Sequence, residues 1–228
     1  MTTPSHLVLL NEEVATSDGV ARRLGMQAIV EHPRSRPGLA ILESTDHAGH
    51  SATHYHSLGV LAGQLSDDHV KACEDAPEVT HVFRNEKRRV PVHIDRVGDA
   101  DLPPCTDALG LIGMSATYDR YSGEGVTVAL LDTGIDLQHP DFAHRFTEGA
   151  NAVSFIEGES VQDGLGHGTH CAGIIAGPAS PRAGQRFSVA PGVRLLVGKV
   201  LSDGGLGSDH QVVEGIHWAL HQGARVIS

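Results

Sequence analysis

Basic residues are scarce in this 228-residue sequence, with 17 Lys and Arg against 28 Asp and Glu and a formal net charge of -11. A protein normally meets a phosphate backbone with a basic face, so nucleic acid is not an expected partner. No apolar run approaches the roughly 18 residues of a membrane-spanning helix, so no membrane partner is expected either. Aromatics make up only 4% of the chain, which leaves Val, Leu, Ile and Ala to build the core. The cysteines Cys73, Cys105 and Cys171 are odd in number, far apart and never in a Cys-x-x-Cys pair. Neither a disulfide framework nor a cysteine metal clip is expected from them. The four apolar residues 7–10 have no basic stretch before them, which is not the layout of a secretory leader and by itself points to the cytoplasm.

What the chain does have is glycine, 27 residues of it, and enough apolar side chain, 40%, for a packed core. Residues 6–10 (HLVLL) read as a strand and 18–25 as a short helix. Residues 35–38 read as a loop, and 51–65 as two short strands around a turn at Gly59. Ser66-Asp67-Asp68 starts a helix that Pro77 ends, and 79–83 (VTHVF) form a further strand. This order fits a small α+β unit with a split βαβ layout. Pro and Asp crowd residues 90–105, which read as a linker, and 106–120 read as a helix.

The composition then changes. Residues 126–131 (VTVALL) and 194–201 (RLLVGKVL) are near-continuous apolar runs, as expected of strands buried on both faces of a parallel sheet. Ser208 and Gln211 make a capping box for a helix whose apolar face is Val212, Val213, Ile216, Ala219 and Leu220. Residues 224–228 read as a third strand.

Two segments carry chemistry-bearing residues. Asp132 closes the first buried run, and functional groups in open α/β sheets collect at the carboxyl ends of strands. His167 sits between Gly166 and Gly168 where a helix begins, with Thr169 as its candidate cap. Ala172, Gly173, Ala176 and Gly177 keep one side of that helix thin, and His170, inside it, reads as a packing residue. An Asp at a strand end and a His at a helix start suit the orienting and base roles of a nucleophilic triad.

Residues 130–136 (LLDTGID), with His139-Pro140-Asp141 after them, resemble the aspartate motif of the subtilisin-like serine proteases, the subtilases. Residues 166–173 (GHGTHCAG) are similar to their histidine motif, and Val189-Ala190-Pro191 with Gly198-Lys199-Val200-Leu201 to the strand that follows. Asp precedes His, which is the family's order. The resemblance implies an α/β fold: the N-terminal half of a subtilisin-like parallel-sheet three-layer domain, preceded by a small ferredoxin-like α+β pro-domain. It divides the chain into a pro-segment at 5–93, a linker and N-terminal helix at 94–121, and catalytic-domain residues at 122–228.

By the same resemblance the activity is that of a serine endopeptidase zymogen acting on protein and peptide substrates, with Asp132 and His167 as catalytic residues. Gly205, Leu206, Gly207 and Ser208 fall where the family pairs its substrate as an added strand. The pro-segment is expected to bind its own catalytic domain until it is cut off, between about residues 89 and 115. The family is largely secreted, against the cytoplasmic reading of the N-terminus. Asp141 matches a position that binds calcium in some members, but the 177–188 loop holds no carboxylate, so a carboxylate-rich cage is not supported; calcium is left open and no other metal or cofactor is expected. Cys171 matches a free cysteine that some members carry near the active centre. The family's nucleophile stands in a Gly-Thr-Ser motif, and residues 1–228 contain none. This chain alone is therefore expected to be inactive. Two other readings remain: a catalytically inactive remnant serving as a peptidase inhibitor or folding chaperone, and a metal-binding module built on His47, His50, His54 and His56. Those four read more simply as solvated histidines, with His54 and His56 on one strand face and a capacity to respond to pH.

Overall fold

The computed structural model describes residues 3–15, 20–24, 26–30, 50–90, 107–114, 120–182, 184 and 186–228. The loop read at 35–38, His47, Cys105 and most of the linker read at 90–105 lie outside the described residues. The chain divides into two compact units, Met1–Lys87 with Ser208–His221, and Arg88–Gly207 with Gln222–Ser228.

The first unit is built on a five-stranded sheet in the order β2-β3-β4-β1-β5. Its strands are β1 (His6–Leu10), β2 (Met26–Val30), β3 (His50–Tyr55), β4 (Val60–Gly63) and β5 (Val79–Arg84). β1 pairs antiparallel with both β4 and β5, and β3 pairs antiparallel with β4. β2, which the sequence reading lacks, adds to the edge parallel to β3. Helix α1 (Val20–Arg23) contributes Val20 and Ala21 to a core with Val8, Leu61 and Cys73. Helix α2 (Asp67–Glu74) starts where expected, with Ser66 as its cap accepting the His69 N–H.

Helix α5 (Asp209–His221) belongs to this unit. Its buried positions are Gly215, His217 and Ala219. Leu220, assigned to the apolar face on sequence, is instead exposed, because the buried stripe runs through His217. The buried Tyr55 donates from its hydroxyl to, or accepts at it from, His210 Nε2 at 2.9 Å, and packs edge-on against His217. His54 and His56 stack at 3.8 Å, in keeping with a shared face. The solvated reading of His54 is corrected: it is fully buried, with Nε2 2.8 Å from the Ala15 carbonyl.

The second unit centres on a parallel sheet in the order β11-β7-β9-β8. Its strands are β7 (Thr127–Asp132), β8 (Ala152–Ser154), β9 (Arg194–Lys199) and β11 (Val226–Ile227). The two long apolar runs are its central pair, paired from Thr127↔Arg194 to Asp132↔Lys199. Helix α4 (His167–Ala176) lays Ala172 and Ala176 into the core made by Val128, Leu130 and Val197. Small side chains let helix and sheet approach closely, as the thin face predicts. Helix α3 spans Asp107–Leu111, and residues 106 and 115–119 of the helix expected at 106–120 lie outside the described residues. β6 (Lys87–Arg89) and β10 (Leu206–Ser208) form a separate two-stranded sheet.

Burial holds His210 down to about 4, and burial, then the neighbouring His221 and His56, holds His217 down to about 4. Both are below the ordinary value of about 6.5, so the fold favours the neutral rings. Their contribution is complete above pH 6.5 or so and is lost as pH falls toward 4. The urea midpoint followed by the single tryptophan, Trp218 on α5, is expected to drop across that window, and His217→Leu to flatten the drop.

Candidate active site

Strand β7 ends at Asp132 and α4 begins at His167. Their side chains meet: His167 Nδ1 is 2.6 Å from Asp132 Oδ1, and both groups are mostly buried. A carboxylate only accepts, so the proton of this bond sits on Nδ1, and Nε2 of the neutral ring is the remaining acceptor. The Thr133 N–H also donates to Asp132 Oδ1, at 2.7 Å.

The approach depends on backbone contact. Gly134 follows the strand with φ +107, a conformation that L side chains rarely adopt, and a Cβ there would lie 2.3 Å from the Val161 carbonyl. A Cβ on Gly168 would lie 2.3 Å from the Gly134 carbonyl. No larger residue fits at Gly168 without moving the helix off the strand end, nor at Gly134 without displacing the Val161 carbonyl.

Two buried charges tie the surrounding loops together. Asp163 Oδ1 accepts from the Thr133 hydroxyl and from the N–H groups of Leu165 and Gly166, and Oδ2 accepts from the N–H and hydroxyl of Thr169. Burial alone would raise this carboxyl, but the bonds from Thr169, Gly166 and Thr133 outweigh it and hold Asp163 below the usual carboxylate range. The expected cap, Thr169, is thus corrected. Gly166 is the N-cap, without a side-chain bond, and the Asp163 carboxylate takes the N–H groups of the first turn. Lys199, at the end of β9 and fully buried, donates to the carbonyls of Thr133 and Gln162 at 2.7 and 3.3 Å. Its counter-ions are Asp203 at 2.6 Å and Glu159 at 3.3 Å. The hydrogen bond from Lys199 in turn lowers the Asp203 carboxyl.

The sequence model of the Subtilase family matches residues 123–228, the stretch that contains this pair. This segment belongs to the subtilase family. Relatives extend the likeness along the chain. Subtilisin-like protease 1 of Arthroderma otae is 30% identical over 225 residues, 94% of this chain and 41% of its own length. The alkaline protease of Alkalihalobacillus alcalophilus is 32% identical over 228 residues, 97% of this chain and 52% of its own length. A subtilisin-like protease of Coccidioides posadasii is 42% identical over a shorter stretch of 104 residues, 46% of this chain. The chain therefore spans about half or less of these relatives' own lengths.

The remaining residues singled out on sequence fall as follows. Gly205 closes a turn with φ +72, and Leu206, Gly207 and Ser208 form β10. Gly207 has no room for a side chain, since a Cβ would lie 2.3 Å from the Val200 carbonyl. Ser208 and Gln211 make the capping box, with the Ser208 N–H donating to Gln211 Oε1 at 2.8 Å. His170 is exposed and lines an open cavity with Asp136 and His139, so its packing role is corrected: α4 buries the face of Ala172 and Ala176 instead. Asp141 accepts the Arg182 N–H at 3.0 Å. The sequence pattern does not mark Asp163, and it marks Lys199 only as part of a strand. The signal for Asp163 was an acidic residue just ahead of a helix start that lacks a Ser, Thr or Asn cap.

The Cys171 thiol lies 3.8 Å from His167 Nδ1. Burial, then the charges of Asp132 and Asp163, pushes it up to about 11. Cys171 is therefore a neutral thiol at physiological pH, although it stands beside a histidine. Iodoacetamide labelling of the native chain at pH 8 should leave Cys171 largely unmodified, with the rate rising steeply toward pH 11, as read by peptide mass mapping.

Proposed function

We propose that this protein is a serine endopeptidase in which Asp132 orients His167 and His167 acts as the general base. The observation that carries the reading is the 2.6 Å contact between His167 Nδ1 and Asp132 Oδ1. In that role Nε2 takes the proton of a serine hydroxyl as it attacks the peptide carbonyl, and later returns it to the leaving amine. Asp132 fixes the tautomer and stabilises the imidazolium between those two steps. The nucleophile expected from the family is a serine in a Gly-Thr-Ser motif, which residues 1–228 do not contain. A polypeptide of these residues alone is accordingly proposed to be without turnover.

Gly205, Leu206, Gly207 and Ser208 are proposed as the edge along which a peptide substrate lies as an added strand. The pairing of β10 with β6 supports this, as does the 2.9 Å bond from the Val90 N–H to the Gly205 carbonyl. Arg88, Arg89 and Val90 already run along this edge as an extended peptide does. Residues 5–93 are proposed as a pro-segment, and its last described residues, Arg88 to Val90, are the part that lies along this edge. The same pairing is equally what an inactive inhibitor-like remnant would display.

The test is hydrolysis of a general protein substrate by the protein carrying its Gly-Thr-Ser segment, with inhibition by a serine-directed phosphonate. Asp132→Asn is expected to lower kcat by about 10⁴-fold, because the amide selects the wrong tautomer. The 228-residue chain assayed in parallel is expected to release nothing above buffer. Phosphonate-sensitive turnover by that shorter chain would overturn its proposed inactivity, and absence of turnover in the longer protein would overturn the peptidase assignment.

A further inference from the structure

We propose that Asp163 is a positioning residue for the Asp132–His167 pair, a role that rests on the serine-peptidase reading above. Its hydrogen bonds run to the residues that flank both partners. On one side, Thr133 follows Asp132, gives its N–H to Asp132 Oδ1, and gives its hydroxyl to Asp163 Oδ1 at 2.9 Å. On the other side, Gly166 precedes His167 and Thr169 lies two residues after it, and both give their N–H groups to Asp163 at 2.8 Å. The Thr133 hydroxyl closes the loop by accepting the Gly168 N–H at 2.9 Å. One buried carboxylate thus holds the strand end that carries the acid and the helix turn that carries the base.

The arrangement requires a charged acid. Thr133, Leu165, Gly166 and Thr169 supply five donors to two oxygens, which a carboxylate accommodates with its four lone-pair sites and one shared position. An amide in its place presents two donors of its own to groups that already donate. The depressed titration of Asp163 is the counterpart of this, since the ionised form is the one that the surroundings bind. The pair it frames must keep its 2.6 Å contact while the ring gains and loses a proton. A helix turn free to shift against the strand end would lengthen that bond in one of the two states. Displacements near 1 Å at a reacting group lower rates by about 10²-fold.

A plain helix cap would account for the bonds to Gly166 and Thr169 alone, and the bond to Thr133 separates the two roles. In the full-length protein, Asp163→Asn is expected to lower the active-site-titrated kcat about 10- to 100-fold with KM changed less than about twofold. It is also expected to broaden or abolish the far-downfield proton resonance of the His167 Nδ1–H, assigned by its loss in His167→Gln. If Asp163→Asn fails to fold, Thr133→Val removes only the hydroxyl link. It should shift the same two readouts in the same direction by a smaller factor, with Thr133→Ser restoring both.

A lower melting temperature with kcat and the downfield resonance unchanged would reduce Asp163 to a helix cap and overturn the proposal. So would an unaltered resonance and kcat in Thr133→Val. A wild-type protein with no turnover would sink the peptidase reading instead. The resonance of wild type against Asp163→Asn would still decide whether Asp163 holds the pair, its loss in the variant supporting the role and its persistence refuting it.

Discussion

The contact on which the second unit's chemistry depends is between two stretches of backbone. The turn after β7 and the first turn of α4 touch through Gly134 and Gly168, where a single Cβ would drive atoms to 2.3 Å. A side chain on Gly168 would hold the helix away from the strand end and pull Asp132 and His167 apart, and one on Gly134 would push the turn off the Val161 carbonyl. A 2.6 Å hydrogen bond tolerates little of that displacement. Where the two main chains meet, the N–H groups of Gly166 and Thr169 and the carbonyls of Thr133 and Gln162 take side-chain partners within the protein. Hence Asp163 and Lys199 become necessary as internal partners for the N–H groups and carbonyls of the loops.

These two charges have opposite duties. Asp163 gathers donors from the helix start and from Thr133, while Lys199 supplies protons to carbonyls of the same loops and pairs with Asp203 and Glu159. Each is buried, and each is compensated within hydrogen-bonding distance, as a charge removed from water must be. Lys199 stands in register with Asp132 across the parallel pair β7–β9, so the carboxyl ends of adjacent strands present an anion and a cation to the same loop layer. The sheet supplies that juxtaposition, because parallel strands finish on the same edge.

Much of this was legible in the sequence. Near-continuous apolar runs at 126–131 and 194–201 read as strands covered on both faces, and they form the central pair of the sheet. Asp132 and His167 stand out because one closes a buried apolar run and the other sits between two glycines where a helix begins. What escaped was set by tertiary packing. Asp163 looks like a turn residue until the helix start is seen to lack a capping side chain. His170 was given to the core because it lies inside a helix, yet the buried face is fixed by Ala172 and Ala176. His217 went unnoticed and Leu220 was overvalued on α5, because a histidine at 5% exposure is readable only once Tyr55 is found packed against it. β2 was missed because a five-residue edge strand carries little pattern of its own.

The grouping of α5 with the N-terminal sheet has a consequence for biosynthesis. The strands that receive this helix are all translated by residue 87, but the helix itself begins only at residue 209. At translation speeds of roughly 5–20 residues per second, the nascent sheet waits on the order of 6 to 24 seconds for it. Throughout that interval Tyr55, Leu7 and Ala62, which share a cluster with Val213 of the helix, lack one of their covering elements. The emerging chain therefore offers chaperones a defined and temporary foothold, which disappears when the ribosome has passed far enough beyond residue 221 to release the helix.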